Sequence, residues 1–262
     1  MNTPFFISSK SARGESVSRS GFILGGLLLL MLSSFARAAV TVSVSPTNIM
    51  WDANTWVQLD ITGLTTNQRV NLTLHADIDK NGVAGPTEPQ IMRFGLRDGM
   101  ANSFGAQVIV CDTNGVSDGA IHARVSYHGL SGESVLWHAA GQYVWKVTAT
   151  NGANLASATF TVTPPESTVC ITGAVKVVTS LDPLMGTPLP GALVAADLYS
   201  YCQGYMPAVW SDTAGNFLLP VPAGISNDNV QSVSAVAFGY CMAENGPEGV
   251  GSLSTVPLQE VL

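Results

Sequence analysis

From Val40 onward, apolar and polar residues alternate in short runs. VTVSVS, TWVQLDIT and RVNLTLHAD come first, and the third puts Val70, Leu72, Leu74 and Ala76 on one side of the chain. A period of two cannot make the apolar stripe of a helix, which needs a period of 3.6, so these runs are strands with one buried face. QIMRFGL, AQVIV, AIHARVSY, QYVWKVTAT and LASATFTV continue the series. Asp98-Gly99, Asn114-Gly115, Asp118-Gly119 and Asn151-Gly152 punctuate it, and such dipeptides favour the left-handed backbone of tight turns. About eight short strands at these intervals predict a β-sandwich over residues 39–163.

Pro164-Pro165-Glu166-Ser167 interrupts the pattern. Two adjacent prolines cannot donate to a sheet ladder, so residues 164–168 are predicted to link the first sandwich to a second module over 169–262. The predicted fold class is therefore all-β, with two consecutive β-sandwich domains.

Residues 1–38 read as an export signal. Lys10, Arg13 and Arg19 precede the apolar GFILGGLLLLML, and Ala36-Arg37-Ala38 offers small residues for cleavage. The apolar run is shorter than the ~20 residues that span a bilayer, so no membrane insertion is expected after cleavage. The expected location is secreted or extracytoplasmic, in the extracellular space or the periplasm. The final QEVL carries no sorting signal or apolar anchor, which leaves a free protein or a non-covalent surface attachment as the expectation.

Four of the 11 Lys and Arg residues and one of the 18 Asp and Glu residues fall in 1–38, so the remainder carries a formal charge of −10. Such a balance disfavours nucleic acid and anionic membranes as partners. Protein or polysaccharide at the cell exterior is the expected partner class. All four cysteines, Cys111, Cys170, Cys202 and Cys241, lie beyond the signal, where an even count points to disulfides. Cys202 and Cys241 each follow a strand-like run ending in aromatics, DLYSYC and AFGYC, and are the preferred pair. Cys111 and Cys170 then form an inter-module bridge or remain free thiols.

AGQYVWKVTATNGANLASATFTV resembles the closing hairpin of an immunoglobulin-like or fibronectin-like sandwich, with Tyr143 at the place of a tyrosine corner. The paired core cysteines of antibody domains are absent. In the second module VCITGAVKVVTS, GTPLPGALVAADL, WSDTAGNFLLPVPAG and VSAVAFGY resemble, in order, the carboxypeptidase regulatory-like domain, a transthyretin-like β-sandwich. The resemblance implies a fold and no peptidase activity, because that activity belongs to a separate zinc-binding domain. None of His75, His122, His128 and His138 has a glutamate or histidine at zinc-motif spacing. A related adhesin module carries an internal Lys-Asn crosslink. Lys176 stands in the corresponding first strand, but no asparagine occurs in GSLSTVPLQEVL.

The chemistry-bearing motif is DIDKNGVAGPTE, Asp77 to Glu88, which has the spacing of an EF-hand calcium loop. Strand-like runs flank it, so a calcium-type loop between strands is predicted. By motif position Asp77, Asp79 and Asn81 supply side-chain oxygens, Val83 its carbonyl and Glu88 a bidentate carboxylate, while Gly82 takes the strained turn. The cofactor expected is Ca2+, bound weakly. A stiff acidic loop without metal is the alternative, since Asx residues, glycine, Pro86 and Pro89 all suit turns. CDTNGVSDG offers Asp112, Asn114 and Asp118 between two strands; its spacing matches no named metal motif, so a plain turn is the first reading and a second metal site the alternative.

No nucleophile elbow, C-x-x-C or phosphate-binding glycine loop occurs, so the expectation is a non-catalytic, exported structural or adhesive protein. The alternative is a carbohydrate-binding module in which Tyr201, Tyr205 and Trp210 of YSYCQGYMPAVW stack on sugar rings.

Overall fold

The computed structural model describes residues 39–51, 53, 55–104, 109–127, 139–164, 166, 169–177, 186–198, 207–221, 230–237, 243–245 and 256–258. Residues 39–262 form one compact unit, and the predicted signal, 1–38, lies outside the described residues. The described chain is all-β, without a helix.

Among the described residues ten strands precede the double proline. They are β1 (Thr41–Ser45), β2 (Asn48–Met50), β3 (Trp56–Thr62), β4 (Arg69–Ala76), β5 (Gln90–Arg97), β6 (Ser103–Phe104), β7 (Ile109–Val110), β8 (Ile121–Ser126), β9 (Ala139–Ala149) and β10 (Asn154–Thr163). One sheet runs β1-β3-β8-β7-β6, and in the other β5, β4, β9, β10 and β2 are successive neighbours. β2 pairs parallel to β10, and the remaining neighbours in both sheets are antiparallel. This is the arrangement of an immunoglobulin-like sandwich.

The alternation predicted for β4 is met: Val70, Leu72, Leu74 and Ala76 are all buried. They meet Leu59 and Ile61 of β3, Ile121 and Val125 of β8, and Tyr143, Trp145 and Val147 of β9 in one core. Burying side chains of this size stabilises by about 1.5–3 kcal/mol each relative to exposure, so the alternation sets the register as well as the fold. The eight predicted runs are joined by two further strands, β2 and β6. They are three and two residues long, too short to show a period.

After the prolines come β11 (Val169–Val177), β12 (Thr187–Pro188), β13 (Leu193–Leu198), β14 (Ala208–Trp210), β15 (Asn216–Val221), β16 (Val230–Val236), β17 (Ala243–Asn245) and β18 (Val256–Leu258). β12, β11 and β15 make one sheet, with β18 pairing β11. β17, β16, β13 and β14 make the other. A second core lies between them, built from Ile171, Val175, Val194, Phe217, Leu219 and Val233 among others.

β14 pairs parallel to the start of β9, Ala208 with Ala139 and Val209 with Ala140, so one sheet runs from the first set of strands into the second. Trp210 packs against the first core and against the small cluster of Ala139, Leu193, Ala195 and Ala208. Its Nε1 donates to Tyr143 Oη (3.1 Å), while the Tyr143 hydroxyl donates to the carbonyl of Ala139, four residues upstream. Tyr143 thus makes the corner that its position predicted, and burial pushes its phenol well above the ordinary value. Tyr143→Phe would strand both Trp210 Nε1 and the Ala139 carbonyl. We expect a loss of about 1–3 kcal/mol in urea unfolding, with no change in the far-ultraviolet spectrum.

Candidate metal centre

The loop that joins β4 to β5 is closed at its neck by the strand ladder. Ala76 N donates to Pro89 O (3.0 Å), and Asp77 N donates to Gln142 O of β9 (2.8 Å). Asp77 is thereby fixed at a strand end and is only 3% exposed. The chain then turns sharply through Lys80 and Gly82, at φ +58° and +75°. Left-handed backbone is costly for lysine and cheap for glycine. Carboxylate hydrogen bonds hold the turn: Asn81 N donates to Asp77 Oδ1 (3.0 Å) and Asp79 Oδ1 (3.1 Å), and Gly82 N donates to Asp77 Oδ2 (2.9 Å). A Cβ on Gly82 would lie 3.3 Å from Thr159 Cγ2, so the loop folds closely over β10.

Glu88 closes the loop from the far side. Its Oε2 accepts from Gly85 N (2.8 Å), while Oε1 is buried with no hydrogen-bond partner. The residue is 6% exposed. Burial pushes its pKa up; the Gly85 amide opposes this, and the neighbouring Asp77 and Asp79 carboxylates reinforce it. One ligand oxygen from each of Asp77, Asp79 and Glu88 falls within 4.8 Å of the others. All three predicted carboxylate ligands converge. Asn81 turns its Oδ1 to Val83 N (2.6 Å) and its Nδ2 to Asp79 Oδ2 (2.7 Å), and Val83 is 58% exposed. The donor set is all oxygen, with one carboxylate oxygen buried and unsatisfied. Such a donor set suits a hard divalent cation.

CDTNGVSDG is a structural turn. Asp112, fully buried, accepts from Gly99 N (2.7 Å) and His122 N (3.1 Å). Beside it Asp98, 1% exposed, accepts from the amides of Asn67 (2.8 Å), Asp118 (3.2 Å) and Gly119 (3.1 Å) and from Ser117 Oγ (3.2 Å). Asp98 had only a turn signal in the sequence, and its reach of up to 31 residues left no local trace.

His122 lies on β8, where its Nδ1 meets Asp60 Oδ1 at 2.7 Å; that hydrogen bond raises its pKa. His75 is held below its ordinary pKa by burial, with the Glu88 backbone opposing and the Lys146 charge adding to the effect. His128 and His138 lie outside the described residues.

Cys111 and Cys170 are free thiols, and burial raises the Cys111 pKa. Cys202, Cys241, Tyr201 and Tyr205 lie outside the described residues. Of the predicted sugar-stacking aromatics, Trp210 is half-buried, with its indole N–H committed to Tyr143.

No family model and no curated protein matches the chain. Among solved structures, it is similar to Escherichia coli alpha-2-macroglobulin over domains MG0-NIE-MG1. Identity there is 10% and the TM-score 0.26, over 79% of this chain and 64% of that one. A tetra-tandem repeat from the extending region of a large adhesion protein gives 13% identity and a TM-score of 0.27, over 85% and 48%. A Mobiluncus mulieris adhesin gives 7% and 0.24, over 85% and 98%. The chain thus spans less than two thirds of the length of the first two, and likenesses at these TM-scores carry no argument about function.

Proposed function

We propose that this is an exported, non-catalytic structural or adhesive protein whose first sandwich, residues 39–163, is stiffened by calcium in the 77–88 loop. The reading rests on two observations at one loop: a ligand oxygen from each of three carboxylates converges within 4.8 Å, and one oxygen of Glu88 is buried without a partner. Ca2+ would be held by Asp77, Asp79 and Glu88, with Asn81 and the Val83 carbonyl completing the set after a local turn of the loop. For a weak extracellular-type site, Kd is on the order of 0.1–1 mM.

Residues 169–262 are read as a carboxypeptidase regulatory-like sandwich. Two turns support that reading. Asp212 Oδ1 accepts from Ala214 N (2.8 Å) and Asn216 N (2.9 Å) around Gly215 at φ +79°, and Pro190-Gly191 turns the chain into β13.

Thermal unfolding with and without calcium tests the metal. At ~2 mM calcium and a Kd of ~0.1 mM, binding to the folded state stabilises by about 1.8 kcal/mol, a Tm rise of roughly 4–7 °C for a chain of this size. Magnesium should give much less, because it demands a tighter octahedral shell. Glu88→Gln separates metal binding from simple loop packing by sign. A carboxyl whose folded pKa is raised costs stability once the pH exceeds its unfolded value, and costs nothing below it. In chelator at pH 7, Glu88→Gln should therefore unfold at the wild-type temperature or slightly above; in calcium it should unfold below. A wild-type Tm indifferent to calcium would return the loop to a metal-free acidic turn.

A further inference from the structure

Seven cationic residues follow the signal, and four of them stand on one face of one sheet. On β4 the residues alternating with the buried Val70, Leu72 and Leu74 are Arg69, Asn71, Thr73 and His75. Across the ladders Arg69 faces Arg97, while Thr73 faces Arg93 of β5 and Lys146 of β9, and residues directly opposite share a face. The outer positions of β9 and β10 add Gln142, Thr148, Ser157, Thr159 and Thr161. No Asp or Glu occupies any of these strand positions, although the chain beyond residue 38 carries 17 of them.

Among the described residues neither Arg93 nor Lys146 has a carboxylate partner, and the ion pair is His122 with Asp60. Arg69 directly opposite Arg97 is a like-charge pair that disfavours the fold, offset only in part by the Arg97 guanidinium donating to Asn67 Oδ1 (3.3 Å). Between Arg93 and Lys146 lies a groove of about 440 Å3, also lined by Asn71, Thr73, His75 and Thr148. With strands ~4.8 Å apart and a rise of ~3.4 Å per residue, the four cations frame a strip roughly 10 by 14 Å.

We propose that this outer face of β5-β4-β9 binds an extended anionic polysaccharide, its carboxylate or sulfate groups meeting Arg93, Lys146, Arg69 and Arg97 and its hydroxyls meeting the Thr and Asn side chains. Guanidinium groups pair with planar or tetrahedral oxyanions in two-pronged fashion, and the groove supplies hydroxyl and amide partners rather than an apolar anchor pocket. The net charge repels polyanions elsewhere on the surface, which confines them to this strip. The inference builds on the reading of an exported protein that meets polysaccharide at the cell exterior and does not require bound calcium, although Lys146 Nζ also donates to Ala84 O of the 77–88 loop (3.4 Å).

Retention on dextran sulfate tests it, with neutral dextran and polyglutamate as comparators, in calcium and in chelator. The wild type should bind dextran sulfate at low salt in both conditions and release as salt rises, with weaker binding to polyglutamate and none to neutral dextran. Arg93→Gln and Lys146→Gln should each weaken binding about fivefold. Arg124→Gln removes the same charge from the other sheet, where the guanidinium stacks 5.3 Å from the Trp56 ring centre, and should change binding less than twofold. An equal loss in Arg124→Gln, or no retention of the wild type, overturns the proposal. Polyglutamate bound as well as dextran sulfate overturns the saccharide assignment, and binding lost in chelator shows a metal-bridged anion instead.

Discussion

Asp98→Ala should unfold roughly 6–12 °C below the wild type, a loss of about 3 kcal/mol. The carboxylate, 1% exposed, accepts from three backbone amides and one hydroxyl; without it Gly119 N and Ser117 Oγ lose their acceptor, while Asn67 N keeps Ser117 Oγ (2.9 Å) and Asp118 N keeps the Val116 carbonyl (3.0 Å). Each such donor costs about 1–3 kcal/mol, offset in part because a buried charge disappears with the side chain. Asp98→Asn retains one carbonyl oxygen and should lose about half as much. Asp118→Asn is the control: its exposed carboxylate accepts from Ala120 N (3.0 Å) and lies 3.5 Å from Asn114 Nδ2, so the change should stay within about 0.5 kcal/mol. Equal melting temperatures for Asp98→Ala and the wild type would mean that the turns at 65–68 and 115–119 hold themselves.

The Asp98 network shows what a sequence conceals. Asp98-Gly99 and Asp118-Gly119 were legible as turns, and both glycines take left-handed backbone, at φ +79° and +85°. Turn chemistry is local, and a dipeptide suffices to express it. That Asp98 ties those two turns to a third, through Asn67, is a spatial fact with no sequence period. The strands divide in the same way. Runs of six residues or more announced β3, β4, β5, β8, β9 and β10, because alternation accumulates with length. The parallel pairing of β14 with β9 joins residues 69 apart through two register positions, and no local pattern encodes it.

The candidate metal loop was unusually legible, because calcium ligation by a single loop follows spacing along the chain. Its three carboxylates converge as the spacing required. What the spacing could not give is the setting: Glu88 buried to 6% exposure, Lys146 Nζ donating to Ala84 O (3.4 Å), and the second set of strands resting against the loop's neck.

That last contact leads to the other large effect. Gly191 sits at φ +67°, and a Cβ there would lie 2.7 Å from Pro89 Cγ, 3.1 Å from Pro89 Cδ and 3.7 Å from Ile78 Cδ1. Gly191→Ala therefore combines the 1–2 kcal/mol cost of left-handed backbone with overpacking worth roughly another 1–3. We expect a loss of about 3 kcal/mol, seen as a Tm lower by roughly 6–12 °C. Gly152→Ala isolates the backbone component, since Gly152 has φ +88° with nothing within 4 Å of the added carbon; it should cost about 1 kcal/mol. The excess in Gly191→Ala measures the strain placed on Pro89. Because the Pro89 carbonyl holds the loop neck through Ala76 N, and Glu88 is its immediate neighbour, that strain is transmitted to the carboxylates. Gly191→Ala should then weaken calcium binding in calorimetry, and Gly152→Ala should leave it unchanged. If both variants bind calcium as the wild type does, the neck absorbs the strain before it reaches Glu88, and the Pro190-Gly191 turn touches the loop without governing it.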